Sequence, residues 1–409
     1  MWQQIRSNQI RSAVLVAGML MLLLLIGYFL GLAFLDSGVG GLVIALIVWV
    51  IMNLVAFFQG DNVFLAVSKA RKISRNDHPK LFNIVEEMQI ASGLPKMPDI
   101  YIIDDPAPNA FATGRDPNKA AIAVTSGLLQ KLNRDELQGV VAHEIGHIKN
   151  RDVLLMIIAG IMLGAIVMLA YLAWYSLILG GARGGRRSSG GGGGGGQAFA
   201  IILVVAIVLM ILAPIFARLL YFAMSRKREY LADASSALYT RYPEGLASAL
   251  EKISSSTSVL SSANSTTAPM YIINPLHKKG MRARDLTSTH PPTSERIRIL
   301  RSMGGSASFT DYDRVFRQVH KGRGGIIPSA TLAGATGLVE SRGASVEEKK
   351  LEKAEKLERA RETSDLLEKL NRYTALACDC GAKFKVPLDF KGKSIKCPRC
   401  GTINPIPGR

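Results

Sequence analysis

Four long stretches of this chain contain no charged side chain, and they limit what it can fold into more than any other feature. The first lies between Arg11 and Asp36, the second runs from Ser37 to Gly60, the third begins after Asp152 and reaches Gly181, and the fourth runs from Gln197 to Ala217. A helix of about 20 apolar residues crosses a hydrocarbon layer of about 30 Å. Four membrane-spanning helices are therefore expected, at about 12–35, 38–58, 153–180 and 198–222. The first is too long for a cleaved leader and runs straight into a second apolar run. Between them, Asp36-Ser-Gly-Val-Gly-Gly41 makes a tight turn. Arg6 and Arg11 precede the pair and Lys69, Arg71, Lys72 and Arg75 come after it, which puts both outer ends in the cytoplasm.

Composition fits a membrane protein. With 48% hydrophobic residues the chain is too apolar for an ordinary soluble enzyme. A formal charge of +18 would suit a nucleic-acid binder, but Lys and Arg flanking membrane spans produce the same excess. Gly180 to Gly196 reads as a flexible loop on the far side, although its Arg183, Arg186 and Arg187 run against the positive-inside trend. No Gly-Lys-Ser/Thr element follows, so these glycines are not a phosphate loop.

The soluble part begins at His78. Leu81, Ile84, Val85, Met88 and Ala91 form one helical face that stops at Gly93-Leu-Pro95. Three strand-like runs come next, Ile100–Ile103, Asn109–Gly114 and Ala121–Thr125, enough for a small sheet. The run at Asn109, Ala110 and Phe111 reads equally as an ordinary hairpin strand or as an edge that holds a peptide as an added strand. Asn133 and Glu136 then form a capping box opening a helix over 134–150.

That helix carries His143-Glu144-Ile145-Gly146-His147. Two histidines four apart lie about 40° apart around a helix axis, so both can reach one Zn²⁺. Glu144, beside the first, is placed to take a proton from water. The third ligand must come from elsewhere, and Glu229 in Glu229-Tyr-Leu-Ala-Asp233 is the candidate. Two spans separate it from the histidines, and an even number returns it to the same side. Asp233, one turn further, can accept the outer N–H of a ligating histidine. His290, held rigidly before two prolines, can donate to a developing oxyanion or be an ordinary surface histidine.

Residues 305–345 are rich in Gly, Ser and Ala and read as a flexible linker, and 346–373 alternate charges as a solvated helix. All four cysteines lie in 374–409, as Cys378-Asp-Cys380-Gly and Cys397-Pro-Arg-Cys400-Gly. Paired thiolates with glycines indicate a structural Cys₄ zinc ribbon in a reducing compartment rather than disulfides. The tail lacks interleaved aromatics, so a protein partner suits it better than nucleic acid. On this division, cutting after Gly304 leaves the catalytic part intact.

Taken in order, Asn109-Ala-Phe-Ala-Thr-Gly114, His143-Glu-Ile-Gly-His147, Glu229 with Ala232-Asp233, and Thr289-His-Pro-Pro-Thr-Ser-Glu-Arg-Ile297 resemble the HtpX-type membrane zinc metallopeptidases of the heat-shock response. The resemblance covers roughly residues 1–304. It implies a membrane α-helical plus α+β protein: four transmembrane helices and a zincin-like, gluzincin peptidase domain over 61–304 that faces the cytoplasm of a bacterial inner membrane. It further implies endoproteolysis of damaged or misfolded membrane proteins, with Asn109, Ala110, Phe111 and His290 on the substrate side. Two zinc ions are expected, one catalytic on His143, His147 and Glu229 and one structural on Cys378, Cys380, Cys397 and Cys400. The resemblance says nothing about the tail.

Overall fold

A computed structural model describes most of residues 2–153, 226–273, 290–343 and 352–406, with scattered positions between 158 and 215. Two long helices open the chain, α1 (Trp2–Phe34) and α2 (Gly38–Val67). Ser37 caps α2 by accepting from the Gly40 N–H at 3.0 Å. The pair closes where Gly41 meets Gly27, since a Cβ at Gly41 would lie 2.0 Å from the Gly27 carbonyl oxygen. Outward, Met21, Leu25, Val43, Ile47 and Ile51 are exposed, as side chains facing lipid would be. Among the described residues, one helix, Gly38–Val55, is long and apolar enough to cross a membrane, and Val16–Leu32 is a shorter apolar helix. The spans expected at 153–180 and 198–222 and the glycine-rich loop between them lie largely outside the described residues.

The far end of α2 is not lipid-facing. Phe64 and Leu65 are buried in the main core, so the helix runs directly into the mixed helix-and-sheet domain. That domain begins with β1 (Arg71–Lys72) and α3 (Pro79–Ser92), whose buried face is Leu81, Ile84, Val85 and Met88. α3 ends at Gly93, at φ +66°. Then come β2 (Asp99–Ile103), β3 (Ala110–Thr113) and β4 (Ala121–Thr125), in the sheet order β1-β2-β4-β3. β2 and β4 are parallel, with Asp99 opposite Ala121; β3 is antiparallel to β4, with Ala110 opposite Val124, and forms the sheet edge.

After α4 (Ser126–Lys131) comes α5 (Arg134–Lys149), with both halves of the Asn133 and Glu136 capping box formed. Two further helices close on it, α6 over 226–240 and α7 (Pro243–Ser254). Glycines seven apart on α5 permit the approach: a Cβ at Gly139 would lie 2.7 Å from Leu246 N, and one at Gly146 would lie 3.0 Å from Ser235 Cβ. The helix α8 (Thr293–Arg301) completes the domain.

Within the expected linker at 305–345, the described residues include regular structure. They contain α9 (Phe309–Val319), whose Phe309, Tyr312, Val315 and Phe316 are buried in the same core. Ser308 caps it by accepting from the Asp311 N–H. Spacings of three and four put these apolar side chains on one face, and burial of that face outweighs the glycine-rich flanks. The charged helix, α10 (Glu352–Asn371), is also docked rather than solvated. Its Leu366 is buried in the core, and Lys80 pairs with Glu358 at 3.1 Å and Glu362 at 2.9 Å. Two short hairpins end the described chain, β5 (Tyr373–Ala377) with β6 (Lys383–Pro387), and β7 (Ser394–Lys396) with β8 (Ile403–Pro405).

Candidate active site

His143 and His147 project from one face of α5 towards Glu229, near the start of α6. The two Nε2 atoms are 3.2 Å apart. The Glu229 carboxylate lies 3.4 Å from His147 Nε2 through Oε1 and 3.7 Å from His143 Nε2 through Oε2. Ligands at about 2.0–2.1 Å from a tetrahedral zinc sit about 3.3 Å from one another. The donor set therefore fits zinc without rearrangement.

Each imidazole is oriented from behind. His143 Nδ1 is 3.0 Å from Asp233 Oδ1, somewhat off the line of a well-formed hydrogen bond, and His147 Nδ1 is 3.4 Å from Asp152 Oδ2. Asp233 is the partner the sequence suggests; Asp152 is one that sequence spacing does not reveal. Nor does it reveal Arg296, fully buried, which donates to Asp233 from Nε at 2.8 Å and from Nη2 at 2.7 Å. Its Nη1 donates to Ile272 O at 3.0 Å and lies 3.3 Å from Glu229 Oε2. Arg296 belongs to the Ser-Glu-Arg run just after His290, where a charged residue in an amphipathic helix reads as a surface residue.

The electrostatics follow from burial and from these partners. Burial pushes His143 down to about 4, so it is neutral with a free lone pair. Burial also opposes charge on His147, but Asp152 and Glu229 outweigh it and lift the group to about 10. A cation in this cradle would replace that proton, since zinc takes neutral imidazole. Glu229 is held well below the usual carboxylate range, its burial outweighed by His290, His147 and Arg296. Glu144 is lifted to about 7, chiefly by burial, although the Ala112 backbone N–H of β3 bonds to it. Its Oε1, like Glu229 Oε2, is buried without a hydrogen bond among the described residues.

His290 is brought to the site: its Nε2 lies 3.8 Å from Glu229 Oε2, and its ring also bonds to the Tyr271 backbone. The Asn109 run leads into β3, as both of its sequence readings require. Asn109, Ala110 and Phe111 are buried, and the Asn109 Nδ2 donates to Ile273 O at 2.9 Å. The Ile272 N–H donates to Ala110 O at 3.0 Å. Residues 271–273 thus occupy the β3 edge at Ala110, a run that the sequence reads equally as a hairpin strand or a peptide-holding edge and that the resemblance puts on the substrate side. A strand edge carries donors and acceptors that need partners, and here the chain supplies its own.

The four cysteines also converge. Cys378 Sγ lies 3.4 Å from Cys400 Sγ, and Cys380 Sγ lies 3.7 Å from Cys397 Sγ. Thiolates at about 2.3 Å from a tetrahedral zinc sit about 3.8 Å apart, so this set fits too. Gly381 and Gly401, at φ +79° and +77°, turn the two knuckles and let the shorter Cys-x-Cys loop present its pair. Leu376, Val386 and Ile406 are the only buried apolar cluster there among the described residues.

The profile of peptidase family M48 matches residues 75–304. A protein described as "Protease HtpX homolog" from Dictyoglomus turgidum is 44% identical over 303 residues, which cover 74% of this chain and 95% of that protein. A protein of the same description from Lactobacillus helveticus is 42% identical over 307 residues, covering 74% of this chain and 100% of its own. The crystal structure of S. mikatae Ste24p overlaps 73% of this chain and 67% of its own at 20% identity and a TM-score of 0.39, too little to argue a shared arrangement from. Converging imidazoles and carboxylates, a buried glutamate beside them and these matches lead to one conclusion: the chain belongs to peptidase family M48 and is a metallopeptidase of the HtpX type.

Proposed function

We propose that this metallopeptidase is a zinc-dependent endopeptidase that cleaves misfolded or damaged membrane proteins, and unfolded proteins generally, at the cytoplasmic face of a bacterial inner membrane. The observation that carries the reading is the cradle of His143, His147 and Glu229, with atoms 3.2–3.7 Å apart, next to the buried Glu144. A scaffold that used zinc only for stability would have no need of Glu144, whose burial without a bond at Oε1 is costly. The apolar hairpin of α1 and α2, flanked by Arg and Lys, supports a membrane location with the domain on the cytoplasmic side. A substrate drawn from the bilayer would then meet the site close to the membrane surface.

Zinc, when held by His143, His147 and Glu229, supplies Lewis acidity to the scissile carbonyl and to a water molecule. Glu144 accepts the water's proton and returns it to the leaving amine. The burial that lifts Glu144 to about 7 counteracts the pull of a nearby dication and keeps it near working pH. Asp233 and Asp152 hold the imidazoles in the tautomer that points Nε2 inward, and Arg296 fixes Asp233 in turn. His290 is the candidate donor to the oxyanion. In the tail, Cys378, Cys380, Cys397 and Cys400 would hold a second zinc, which supplies folding energy there and no chemistry.

The test is Glu144→Gln, which keeps shape and removes the base. Purified and zinc-replete, it should cleave casein at least about 10²-fold more slowly than wild type while retaining its metal. Turnover at the wild-type rate would overturn the mechanism. Comparing membrane proteomes of cells carrying wild type or Glu144→Gln identifies the substrates; the substrate reading fails if no membrane protein accumulates.

A further inference from the structure

Arg342 lies beyond the family-matched residues 75–304, in a stretch whose composition suggests a linker. Its main-chain N–H nevertheless donates to Arg241 O at 2.7 Å, and its Nε donates to Thr240 O at 3.1 Å. These carbonyls sit at the C-terminal end of α6, the helix of Glu229 and Asp233. Arg241 is left-handed at φ +53°, so the helix stops there and its last carbonyls need outside donors. The same guanidinium donates from Nη2 to Gln138 Oε1 at 2.9 Å and to Asp135, both at the start of α5. Its face lies over the Tyr242 ring, 5.0 Å from the centroid. One planar side chain thus joins the helix of the third ligand to the helix of His143, Glu144 and His147.

The strap that carries it is itself fixed. The Ala307 N–H donates to Val339 O at 2.8 Å and the Ser341 N–H to Gly305 O at 3.0 Å. Just before it in the chain, α9 grips the other end of α6. Phe316 meets the Tyr230 ring edge-on at 5.0 Å and stacks on His320 at 3.9 Å. His320 Nε2 lies 2.8 Å from Glu295 Oε1, which also accepts the Tyr230 hydroxyl. Tyr230 is the residue after Glu229. Through Phe316 and Arg342, this part of the chain therefore touches α6 at both ends and α5 at its start.

We propose that α9 and the strap at 339–343 are a brace that sets the spacing of α5 against α6, with Arg342 as a positioning residue for the metal cradle. This rests on His143, His147 and Glu229 being the zinc ligands. α5 and α6 meet across Gly146, which has no side chain to lock the pair against sliding. A planar fork of donors fixes two helices at once. A lysine nitrogen can reach the Asp135 carboxylate or the Thr240 carbonyl but cannot span both.

The experiment uses the full chain in detergent, as wild type, Arg342→Ala, Arg342→Lys and Arg314→Ala. Arg314 is the control because it lies in the same segment and, among the described residues, pairs with Asp311 on the surface. Casein kcat and KM, the thermal midpoint and zinc release to a chromogenic chelator are measured; the catalytic zinc is the release phase that His147→Ala abolishes. Both Arg342 variants should lose about 10-fold in kcat, with KM nearly unchanged, and should release catalytic zinc faster, since small misplacements of a reacting geometry cost at least this much. The control should match wild type. The brace is overturned if both Arg342 variants keep wild-type kcat and zinc release, if Arg342→Lys restores both fully, or if kcat per folded, zinc-loaded molecule is unchanged. Should wild type itself fail to cleave casein, the peptidase reading fails, while zinc release still decides the brace.

Discussion

A guanidinium shut off from water is tolerated only when its charge is balanced and each nitrogen has a partner, and Arg296 meets that condition. It faces Asp233 with two bonds and Ile272 O with a third, and its charge also serves Glu229. Removing it would leave Asp233 buried and unpaired except for His143. We expect Arg296→Met to destabilise the protein by about 3–5 kcal/mol, the scale for breaking one side of a buried pair, seen as a lower thermal midpoint and weaker zinc retention together. Asp152→Asn is milder. It keeps shape while weakening the hold on His147 Nδ1, and should lower zinc affinity by about 10-fold in chelator competition with Glu144 untouched. An unchanged affinity would make Asp152 a partner of Arg228 alone, 3.6 Å away. The candidate ligands are legible in the sequence because His143 and His147 are neighbours along one helix, and Glu229 and Asp233 share another. Arg296 and Asp152 are not, because what an isolated charged residue meets depends on how α8 and the end of α5 pack, and no local spacing encodes that.

At the scale of elements, α5 is where sequence and packing agree most closely. Its capping box and its apolar period are written in consecutive residues, so its ends fall where the sequence puts them. What the period does not disclose is why Gly139 and Gly146 are glycine. Alanine in a helix interior is ordinarily about 1 kcal/mol better than glycine. At Gly139 the added Cβ would meet Leu246 N at 2.7 Å and Cα at 2.9 Å, backbone atoms of α7 that cannot rotate away. Gly139→Ala should therefore destabilise by about 1–3 kcal/mol. Gly305→Ala, where a Cβ would meet nothing within 4 Å, is the control. A more stable Gly139→Ala protein would mean that α7 does not approach α5 this closely. The helix α9 teaches the opposite lesson. Its signal is present, in Ser308 and Asp311 as a cap and in Phe309, Tyr312 and Phe316 at helical spacing, but a window dominated by Gly and Ser obscures it. The β3 edge fails differently: alternation identifies a strand but cannot say whether residues 271–273 or a peptide will lie beside it.

For the whole molecule, the division into membrane part, domain and tail is less sharp than composition suggests. α2 carries Phe64 and Leu65 into the core, and the Ser68 hydroxyl lies 3.2 Å from that of Tyr271, so the hairpin and the domain share packing. At the other end, α9 shares it too, and among the described residues the segment from α10 onward is attached by a smaller contact. α10 contributes one deeply buried apolar side chain, Leu366, and ion pairs of Lys80 with Glu358 and Glu362. Exposed pairs of this kind are worth about 0–1 kcal/mol. The cysteine-bearing tail has its own small apolar cluster, and the second zinc proposed for it would supply most of its folding energy. Two truncations separate these cases. A chain ending at Gly343 should keep casein cleavage and bind one zinc, where the full chain should bind two. A chain ending at Gly304 loses the core side chains Phe309, Tyr312, Val315 and Phe316 and the Arg342 strap, so it should lose its catalytic zinc or fail to fold. Zinc content, casein cleavage and the thermal midpoint measured side by side decide the matter. If the chain ending at Gly304 cleaved casein like the full protein, α9 and its strap would be passengers, and the catalytic unit would end where the family match does.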